Sequence, residues 1–552
     1  MRGKWVLIIL GILAVFAIVS IVGNAKIIYV GPSEKYTSIQ SAIDNATDGD
    51  TIIVRDGIYY ENIKVTKRLT IKSENGSDNC IIDGGGKTVV TLKADGITIE
   101  GFIIRNSGLF PWDAGIKIHS DNNNIRYNKI VKCGCGIYIG GHSWKSDNNN
   151  ITYNDIYSNE NGICIDSPND LRLSSNNKIA YNNISNNEDE GMKIYGFNNT
   201  ITCNRISNNG KYGILLYYSR VTIITNNRIY NDGIFIEGRY TGMYYHIIEN
   251  NTVNDKPLYY FKGQNGGKVP EDAGGVILVS CSGMIIENLR ISNTDIGIVI
   301  VSCSQITIRN NNISDNQKHG IVVYFSDNNI ITCNNISNNN GNGVGLYQSD
   351  NNNITLNRIS NNHGHGIRLC GCSNNNVTHN NISNNGKHGI WLDGSDDTRI
   401  TYNYISLNGD TGIYLDFYSD DNRITRNILS NNRYGIQLCR SRNNNITYNN
   451  ISNNKKYGIY LYLSSHNSIE KNNFIGNKHQ AFFTDGKVSF IGSPLNLWAG
   501  NYWDDWKITL PRPIFGRIKF IFEVNEGPPM GAISIRWLHF DWRPATRPYS
   551  IG

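Results

Sequence analysis

The second half of the chain repeats one short pattern of apolar and polar positions every 23 residues. Each unit reads Gly-Ile-x-Leu, then Ile-Thr-x-Asn, then Ile-Ser-Asn-Asn, so apolar residues alternate over a few positions between polar turns. Eight glycines mark the period: Gly297, Gly320, Gly343, Gly366, Gly389, Gly412, Gly435 and Gly458. No segment keeps an apolar period of 3.6 residues over a helix length, so the pattern predicts three short strands per unit and excludes a helical repeat.

Three short strands in one repeat are typical of a coil of a parallel β-helix, whose coils stack at the strand-pairing distance of ~4.8 Å. The first half carries the same Ile-x-x-Asn unit less regularly, at residues 125–128, 151–154, 179–182 and 201–204. We therefore predict an all-β parallel β-helix of about 16 coils. The length of the chain is then the repetition of one coil in a single elongated domain.

The two ends differ from the repeat. A short positive start and an uninterrupted apolar run at 5–23 make residues 1–25 either a cleaved signal peptide or an uncleaved membrane anchor. Both alternatives place the rest of the chain outside the cytoplasm. Residues 26–95 are predicted to hold an N-terminal cap and the first coils, with a short capping helix at 37–46.

Residues 96–485 are predicted to form the β-helix itself. Its register breaks around 234–296, where Pro and Gly at 255–275 indicate a long loop projecting from one coil. Residues 486–552 no longer repeat and are rich in Trp, so we expect them to form a C-terminal cap.

Asparagine accounts for 82 of the 552 residues. One column of the repeat consists of Asn334, Asn357, Asn380, Asn403, Asn449 and Asn472. We interpret these residues as turn residues that adopt the left-handed conformation and that form side-chain ladders between coils. Thirteen Asn-x-Ser/Thr sequences, among them Asn150, Asn312, Asn353 and Asn445, are acceptor sequences for N-glycosylation.

The outward positions of three adjacent coils combine aromatic and charged residues. Arg368, Trp391 and Tyr414 share one outward column, and Asp397 and Asp420 follow in the next turn. Such a set suits a carbohydrate chain or a hard cation such as calcium. Asp393 and Asp416 lie about one coil apart, which approximates the ~5–5.5 Å separation of catalytic carboxyl groups in retaining glycosidases. The alternative is an ordinary solvated face.

A second cluster contains soft metal ligands. His363, His365, Cys370, Cys372 and His388 fall within 26 residues, and imidazole and thiolate ligands suit copper or zinc. The alternative is that the Cys residues are small apolar fillers of ladder positions. The net charge is +6 without a run of five basic residues, which argues against a dedicated nucleic-acid-binding protein.

Several segments resemble a known group. The residues Tyr-Thr-Ser-Ile-Gln-Ser-Ala-Ile at 36–43, Gly-Asp-Thr-Ile at 49–52 and Gly-Ile-Tyr-Tyr-Glu at 57–61 resemble the start of pectin-lyase-like right-handed β-helix proteins. Asp-Lys-Pro-Leu-Tyr-Tyr at 255–260 and Gly-Asn-Tyr-Trp-Asp-Asp-Trp at 500–506 are similar to the periplasmic copper-binding NosD family. The repeats resemble that family's carbohydrate-binding and sugar-hydrolysis domain. The resemblance implies a right-handed helix and, for NosD, a role in assembling a copper site.

From these observations we expect an extracytoplasmic protein that binds carbohydrate or another cell-surface polymer along the flank of the β-helix. We expect no nucleic-acid partner, and contact with a membrane only through an uncleaved N-terminal segment. Three alternatives stay open: a copper-binding or copper-site maturation protein, a polysaccharide hydrolase or lyase using Asp393 and Asp416, and a structural surface protein. No cofactor is certain at this point, and copper and calcium are the candidates.

Overall fold

The computed structural model describes residues 25–110, 112–141, 144–167, 173–238, 240–485, 496–521 and 532–551. These described residues form a right-handed parallel β-solenoid of about 19 turns, which confirms the predicted fold class. The expected number of about 16 coils was too low, because coils without the 23-residue period occur near both ends. The predicted targeting segment, except for Ala25, lies outside the described residues.

The chain divides into two compact units, residues 1–205 and 206–552. In each unit the parallel strands form three faces, and one coil contributes one short strand to each face. In unit 1, face 1 consists of Ile63–Val65, Val90–Leu92, Ala114–Ile118, Cys135–Gly140, Asn161–Asp166 and Glu190–Ile194. Face 2 consists of Ile27–Val30, Thr51–Val54, Thr70–Ser73, Thr98–Glu100, Asn124–Arg126, Asn150–Thr152, Lys178–Ala180 and Thr200–Thr202. Face 3 consists of Gly57–Tyr60, Cys80–Asp83, Ile103–Arg105, Lys129–Val131, Asp155–Tyr157 and Asn183–Ser185.

Unit 1 also contains two short paired strands and one helix. The strands are Ser174–Ser175 and Gly196–Phe197, and a further strand, Arg205–Ser207, spans the boundary between the units. The helix Ile39–Asn45 begins at Ser38, whose side chain accepts a hydrogen bond from the backbone N–H of Ser41. It packs on the first coils, as the spacing of its apolar residues predicts.

Unit 2 contains the regular repeats. In each of its faces, the strands that end before residue 254 are not hydrogen-bonded to the strands of the same face that begin after residue 255. Face 1 consists of Tyr212–Tyr217, Ile234–Glu237, Lys256–Lys262, Gly275–Val279, Ile298–Val301, Ile321–Tyr324, Val344–Tyr347, Ile367–Cys370, Ile390–Asp393, Thr411–Asp416, Tyr434–Cys439, Tyr457–Tyr462 and Ala481–Asp485. Face 2 consists of Ile223–Thr225, Ile247–Glu249, Ile285–Glu287, Thr307–Arg309, Ile330–Thr332, Asn353–Thr355, Asn376–Thr378, Arg399–Thr401, Arg423–Thr425, Asn445–Thr447, Ser468–Glu470 and Leu497–Ala499. Face 3 consists of Arg228–Tyr230, Thr252–Val253, Arg290–Ser292, Asn312–Ser314, Asn335–Ser337, Arg358–Ser360, Asn381–Ser383, Tyr404–Ser406, Ile428–Ser430, Asn450–Ser452, Asn473–Ile475 and Tyr502–Trp503. A 3₁₀ helix spans Thr241–Tyr244.

Residues 255–275 do not form the projecting loop that their Pro and Gly content predicts. The strand Lys256–Lys262 turns back antiparallel to Thr252–Val253 and then pairs in parallel with Gly275–Val279. Its central residues at 258–261 are apolar or aromatic and suit a strand, and its proline lies at the second position, next to the turn. The prediction was wrong because Pro257 and Gly263 mark the ends of a strand, while most of the other breakers lie in the turns that connect it to Gly275–Val279.

The Trp-rich C-terminal region begins with a further coil. Trp498 and Trp503 pair with Ile469 and Phe474 of the preceding coil and are buried in the core. The strands Arg512–Ile521 and Ala532–Asp541 then form an antiparallel hairpin, whose first strand pairs with Ala481–Asp485 of face 1. The region therefore extends the solenoid by one coil, and its role as a cap stays a prediction.

Buried asparagine ladders connect the coils at their turns. Asn357 shows the geometry: its backbone N–H donates to Oδ1 of Asn380 at 2.9 Å, and its side-chain amide donates to the same oxygen at 3.0 Å. The amide also donates to the backbone carbonyls of Ile331 and Thr355 at 2.8 and 3.0 Å. The ladder thus satisfies polar groups that the turn would otherwise bury without partners.

The left-handed conformation belongs to the residue before each ladder asparagine, which corrects our interpretation of that column. Cys333, Leu356, His379 and Tyr402 have φ angles of 55°, 58°, 54° and 56°. Their side chains are partly or fully exposed, whereas the asparagines after them are buried. The buried amide network stabilises a backbone conformation that these residue types rarely adopt.

Two aspartates are buried together where the register of unit 2 changes. Asp232 takes a ladder position and accepts hydrogen bonds from the backbone and side chain of Asn209, at 3.0 and 2.7 Å. Asp295 accepts one from the backbone N–H of Gly213 at 3.0 Å. Burial raises the pKa of both carboxyl groups, and the charge of Asp295 contributes to raising the pKa of Asp232 to about 8.

We predict that Asp232→Asn stabilises the protein at alkaline pH. The folded pKa of about 8 lies above the ordinary value of 3.8, so wild-type stability falls as pH rises through this interval. Asparagine offers Asn209 the same acceptor without the buried charge. Thermal unfolding at pH 5 and pH 8.5 should show a gain that is larger at the higher pH. An equal gain at both values would contradict the buried-charge explanation, and exposed Asp315→Asn is the matched control.

Candidate functional site

Face 1 of unit 2 brings most of the predicted binding residues together. Arg368, Trp391 and Tyr414 are paired in register on three adjacent strands and point outward. Asp393 and Asp416 are likewise paired in the next outward column. The strand period of two therefore placed these five side chains on one surface.

Arg368 is held between two aromatic rings. Its guanidinium lies 4.1 Å from the centre of the Trp391 ring and 5.7 Å from that of Tyr347. It also forms an ion pair with Asp393, with 2.7 Å between Nη2 and Oδ2. The Tyr347 ring lies over Gly345, where an added Cβ would approach the ring to 3.0 Å. The glycine thus leaves the space in which Tyr347 lies beside Arg368.

Two buried donors of this cluster lack an acceptor within the described part of the chain. They are the Nε–H of Arg368 and the Nε1–H of Trp391. Buried donors are nearly always paired in folded proteins, because an unpaired donor costs about 1–3 kcal/mol. Both nitrogen atoms are enclosed by the cluster, so they are not accessible to a ligand in this structure.

Both predicted catalytic carboxylates already have protein partners. Asp393 accepts from Arg368, and its Oδ2 lies 3.5 Å from the sulfur of Cys370. Asp416 accepts from the hydroxyl of Tyr414 at 2.8 Å, and burial together with this carboxylate raises the pKa of that tyrosine. The structure places the two carboxylates on adjacent strands and fixes the orientation of each.

Asp397 and Asp420 belong to a different part of the surface. Asp397 lines a shallow pocket of about 510 Å³ together with Arg399, Asp421 and Arg423. The Oδ1 of Asp420 accepts a hydrogen bond from the backbone N–H of Arg442 at 2.6 Å, which connects the turns of two adjacent coils. Neither side chain joins the cluster around Trp391 through a described contact.

Histidine side chains form part of the turn before face 1. The Nδ1 of His365 accepts the backbone N–H of His388 at 3.2 Å, and the Nδ1 of His388 accepts that of Thr411 at 3.2 Å. His319 accepts the backbone N–H of Asn342 in the same way at 2.8 Å. Because each Nδ1 is an acceptor, these rings are neutral and carry their proton on Nε2.

Burial lowers the pKa of all three ladder histidines. The values fall from 6.5 to about 4 for His319, about 3 for His365 and about 4 for His388. The rings also extend the aromatic surface. The ring centre of His365 lies 4.7 Å from that of Trp391, and the ring centre of His388 lies 4.7 Å from that of Tyr414. The histidine rings thus accept backbone hydrogen bonds in the turn, and two of them, His365 and His388, also contact the aromatic residues of face 1.

The five predicted metal ligands do not converge. His363 is exposed on a turn, whereas Cys372 is buried and accepts the backbone N–H of Ser349 at 3.4 Å. Among the residues that the structure describes, no group of three or more His, Cys, Asp or Glu side chains is close enough to hold a metal ion. Ser349, Cys372 and Ser395 occupy the same turn position in successive coils, where each side chain accepts the backbone N–H of the residue one coil earlier. Cys372 therefore takes the place of a serine.

Sequence reasoning missed two features of this surface. The residue before each repeat glycine is His319, Asn342, His365, His388 and Thr411 in turn, and this column would have identified the histidines as turn acceptors. A cleft of about 740 Å³ at the last coils is lined by residues distant in sequence, among them Tyr457, Phe482, Arg512 and Phe515. No local motif brings these residues together.

The sequence profile described as "Right handed beta helix region" matches residues 194–358 and 327–475 of this chain. The chain belongs to the right-handed β-helix proteins. The profile "Periplasmic copper-binding protein (NosD)" matches residues 43–237, which confirms the predicted resemblance over that part of this β-helix protein.

Individual relatives are more distant or shorter. A cell surface glycoprotein of Methanothermus fervidus is 44% identical over 103 residues, which are 18% of this β-helix chain and 17% of the glycoprotein. The A-module of the mannuronan C-5 epimerase AlgE4 from Azotobacter vinelandii is 14% identical, with a TM-score of 0.37 over 83% of this chain and 94% of that one. A DFA-IIIase from Arthrobacter chlorophenolicus in complex with GF2 is 12% identical, with a TM-score of 0.33 over 53% and 83% of the two chains. The family assignment rests on the sequence profile.

In the described ranges, no helix is long and apolar enough to cross a membrane.

We predict that the ladder histidines make the protein sensitive to acid. Their folded pKa values lie below 6.5, so the unfolded state takes up protons first and stability falls between pH 6.5 and 4. His365→Asn should reduce this loss, because Asn342 fills the same position one coil earlier. The measurement is the difference in melting temperature between pH 7 and pH 4.5.

The control for this experiment is His379→Asn, because His379 is exposed. The control should keep the acid sensitivity of the wild type. An undiminished loss of melting temperature in His365→Asn would show that the ladder histidine does not cause it.

Proposed function

We propose that face 1 of unit 2 binds a polysaccharide outside the cell, with Trp391 and Tyr414 at its centre. The observation that carries this proposal is their stacking in register, with ring centres 6.4 Å apart and an interplanar angle of 19°. The parts of both rings that stay exposed beside Arg368 are apolar, and the C–H groups of sugar rings can pack against them.

The polar groups around the rings suit sugar hydroxyls. The carboxylates of Asp393 and Asp416 can accept hydrogen bonds from sugar hydroxyl groups, and the guanidinium of Arg368 lies beside Asp393. The partners of both carboxylates hold them in fixed orientations, which reduces the entropy lost on binding.

Location outside the cytoplasm agrees with three observations. The N-terminal residues have the composition of a signal peptide or anchor, and the NosD profile describes a periplasmic protein. The curated relative is a cell surface glycoprotein. A polysaccharide of the cell surface is therefore the partner that we propose for this face.

Polysaccharide cleavage is a second candidate function. Asp393 and Asp416 face outward at directly paired positions of neighbouring strands, so two carboxyl groups lie beside the proposed sugar site. Release of reducing ends from a bound polysaccharide, lost in Asp416→Asn, would favour this candidate. Binding of copper or calcium stays a prediction.

We predict that Trp391→Ala weakens glycan binding at least tenfold, which corresponds to a loss of about 1.4 kcal/mol. A glycan array identifies the ligand, and calorimetry with that ligand measures the change. Tyr404→Ala is the matched control, because Tyr404 is an exposed aromatic residue of face 3. Unchanged affinity of Trp391→Ala, with the fold intact by circular dichroism, would overturn the proposed site.

A further inference from the structure

The outward column that contains Trp391 and Tyr414 continues to the end of face 1. Tyr414 pairs with Gln437, Gln437 with Tyr460, and Tyr460 with Phe482. We call these outward residues, from Trp391 to Phe482, the aromatic strip. Four coil steps separate its ends, which corresponds to ~19 Å at the strand-pairing distance.

Aromatic rings crowd the far part of the strip. The ring centre of Phe482 lies 5.4 Å from that of Tyr457 and 5.9 Å from that of Tyr460. The ring centre of Tyr434 lies 6.1 Å from that of Tyr460, and the hydroxyl of Tyr434 accepts a hydrogen bond from the ammonium group of Lys456. The strip therefore presents an apolar surface on both sides of the single polar position Gln437.

The strip leads into the cleft of about 740 Å³, of which Tyr457, Phe482 and Phe515 form the aromatic lining. Phe515 is 65% exposed, so its ring is accessible to a ligand in the cleft. The cleft is thus a concave, partly apolar site in line with the proposed sugar-binding residues.

The polar lining of the cleft is fixed by its own contacts. Arg512 donates to both carboxylate oxygens of Asp505, at 2.9 and 2.7 Å, and its guanidinium lies 4.1 Å from the centre of the Trp503 ring. Asp504 accepts from the backbone N–H of Gly476 and from the side-chain amide of Gln480. These groups are preorganised, and an aromatic surface beside fixed polar groups suits a sugar ring.

We infer that the cleft is a second subsite for the polysaccharide, which then lies along the aromatic strip and ends in the cleft beside Phe515. This inference rests on the proposed function. A ligand that reaches both sites has to span the four coil steps of the strip, ~19 Å, so we expect an oligosaccharide of several units. Such a ligand gains affinity because its second contact is intramolecular.

The test measures affinity as a function of ligand length. The probes are cello-, manno- and chito-oligosaccharides of two to eight units, titrated calorimetrically against the full chain. In the series that binds, affinity should rise at least tenfold between two and about six units and then become constant. Phe515→Ala and Phe482→Ala should remove this rise, so that long oligosaccharides bind no better than short ones.

The variants separate the two proposals. Phe515 is exposed, so Phe515→Ala changes the cleft with little effect on folding even if Phe482→Ala destabilises its strand. A full increase with length in Phe515→Ala, combined with loss of binding in Trp391→Ala, would overturn the second subsite and keep the first. Absence of binding to every series would overturn both.

Discussion

The structure depends on hydrogen bonds between buried asparagine side chains and the backbone of the turns. A parallel solenoid must turn three times per coil, and each turn buries N–H and C=O groups that no strand can pair. The ladder of Asn334, Asn357 and Asn380 satisfies these groups in the interior and repeats with the coils. This explains why asparagine is so abundant in the chain, and why its abundance says little about activity.

The same network leaves the outer surface free to vary. The residue before each ladder asparagine is Cys333, Leu356, His379 and Tyr402 in successive coils, although all four have the same left-handed backbone conformation. The buried asparagine network therefore determines the left-handed backbone conformation, and the type of the exposed side chain does not. A surface of this kind can place aromatic and charged groups at regular intervals, and Trp391 and Tyr414 are such a pair.

The repeat was sufficient to predict the fold and the outward alignment of Arg368, Trp391 and Tyr414, because a fixed period determines the register and the direction of every side chain. It could not predict side-chain contacts. The period gives no indication that Tyr347 lies over Gly345 or that the Nδ1 of His365 bonds the next turn. The proposed metal ligands are close in sequence, but this closeness did not show that Cys372 is buried in the core, away from exposed His363. Irregular coils, such as the one that contains Lys256–Lys262, were missed because they lack the period.

The most direct test of this account compares two alanine variants of the unglycosylated protein. Asn357→Ala leaves the N–H groups of Asn334 and the carbonyls of Ile331 and Thr355 without their partner, so we predict a loss of about 3 kcal/mol or more in unfolding free energy. Asn381→Ala removes an exposed asparagine on face 3, and the loss should stay within about 0.5 kcal/mol. Equal losses in the two variants would contradict the conclusion that the buried ladder stabilises the coils.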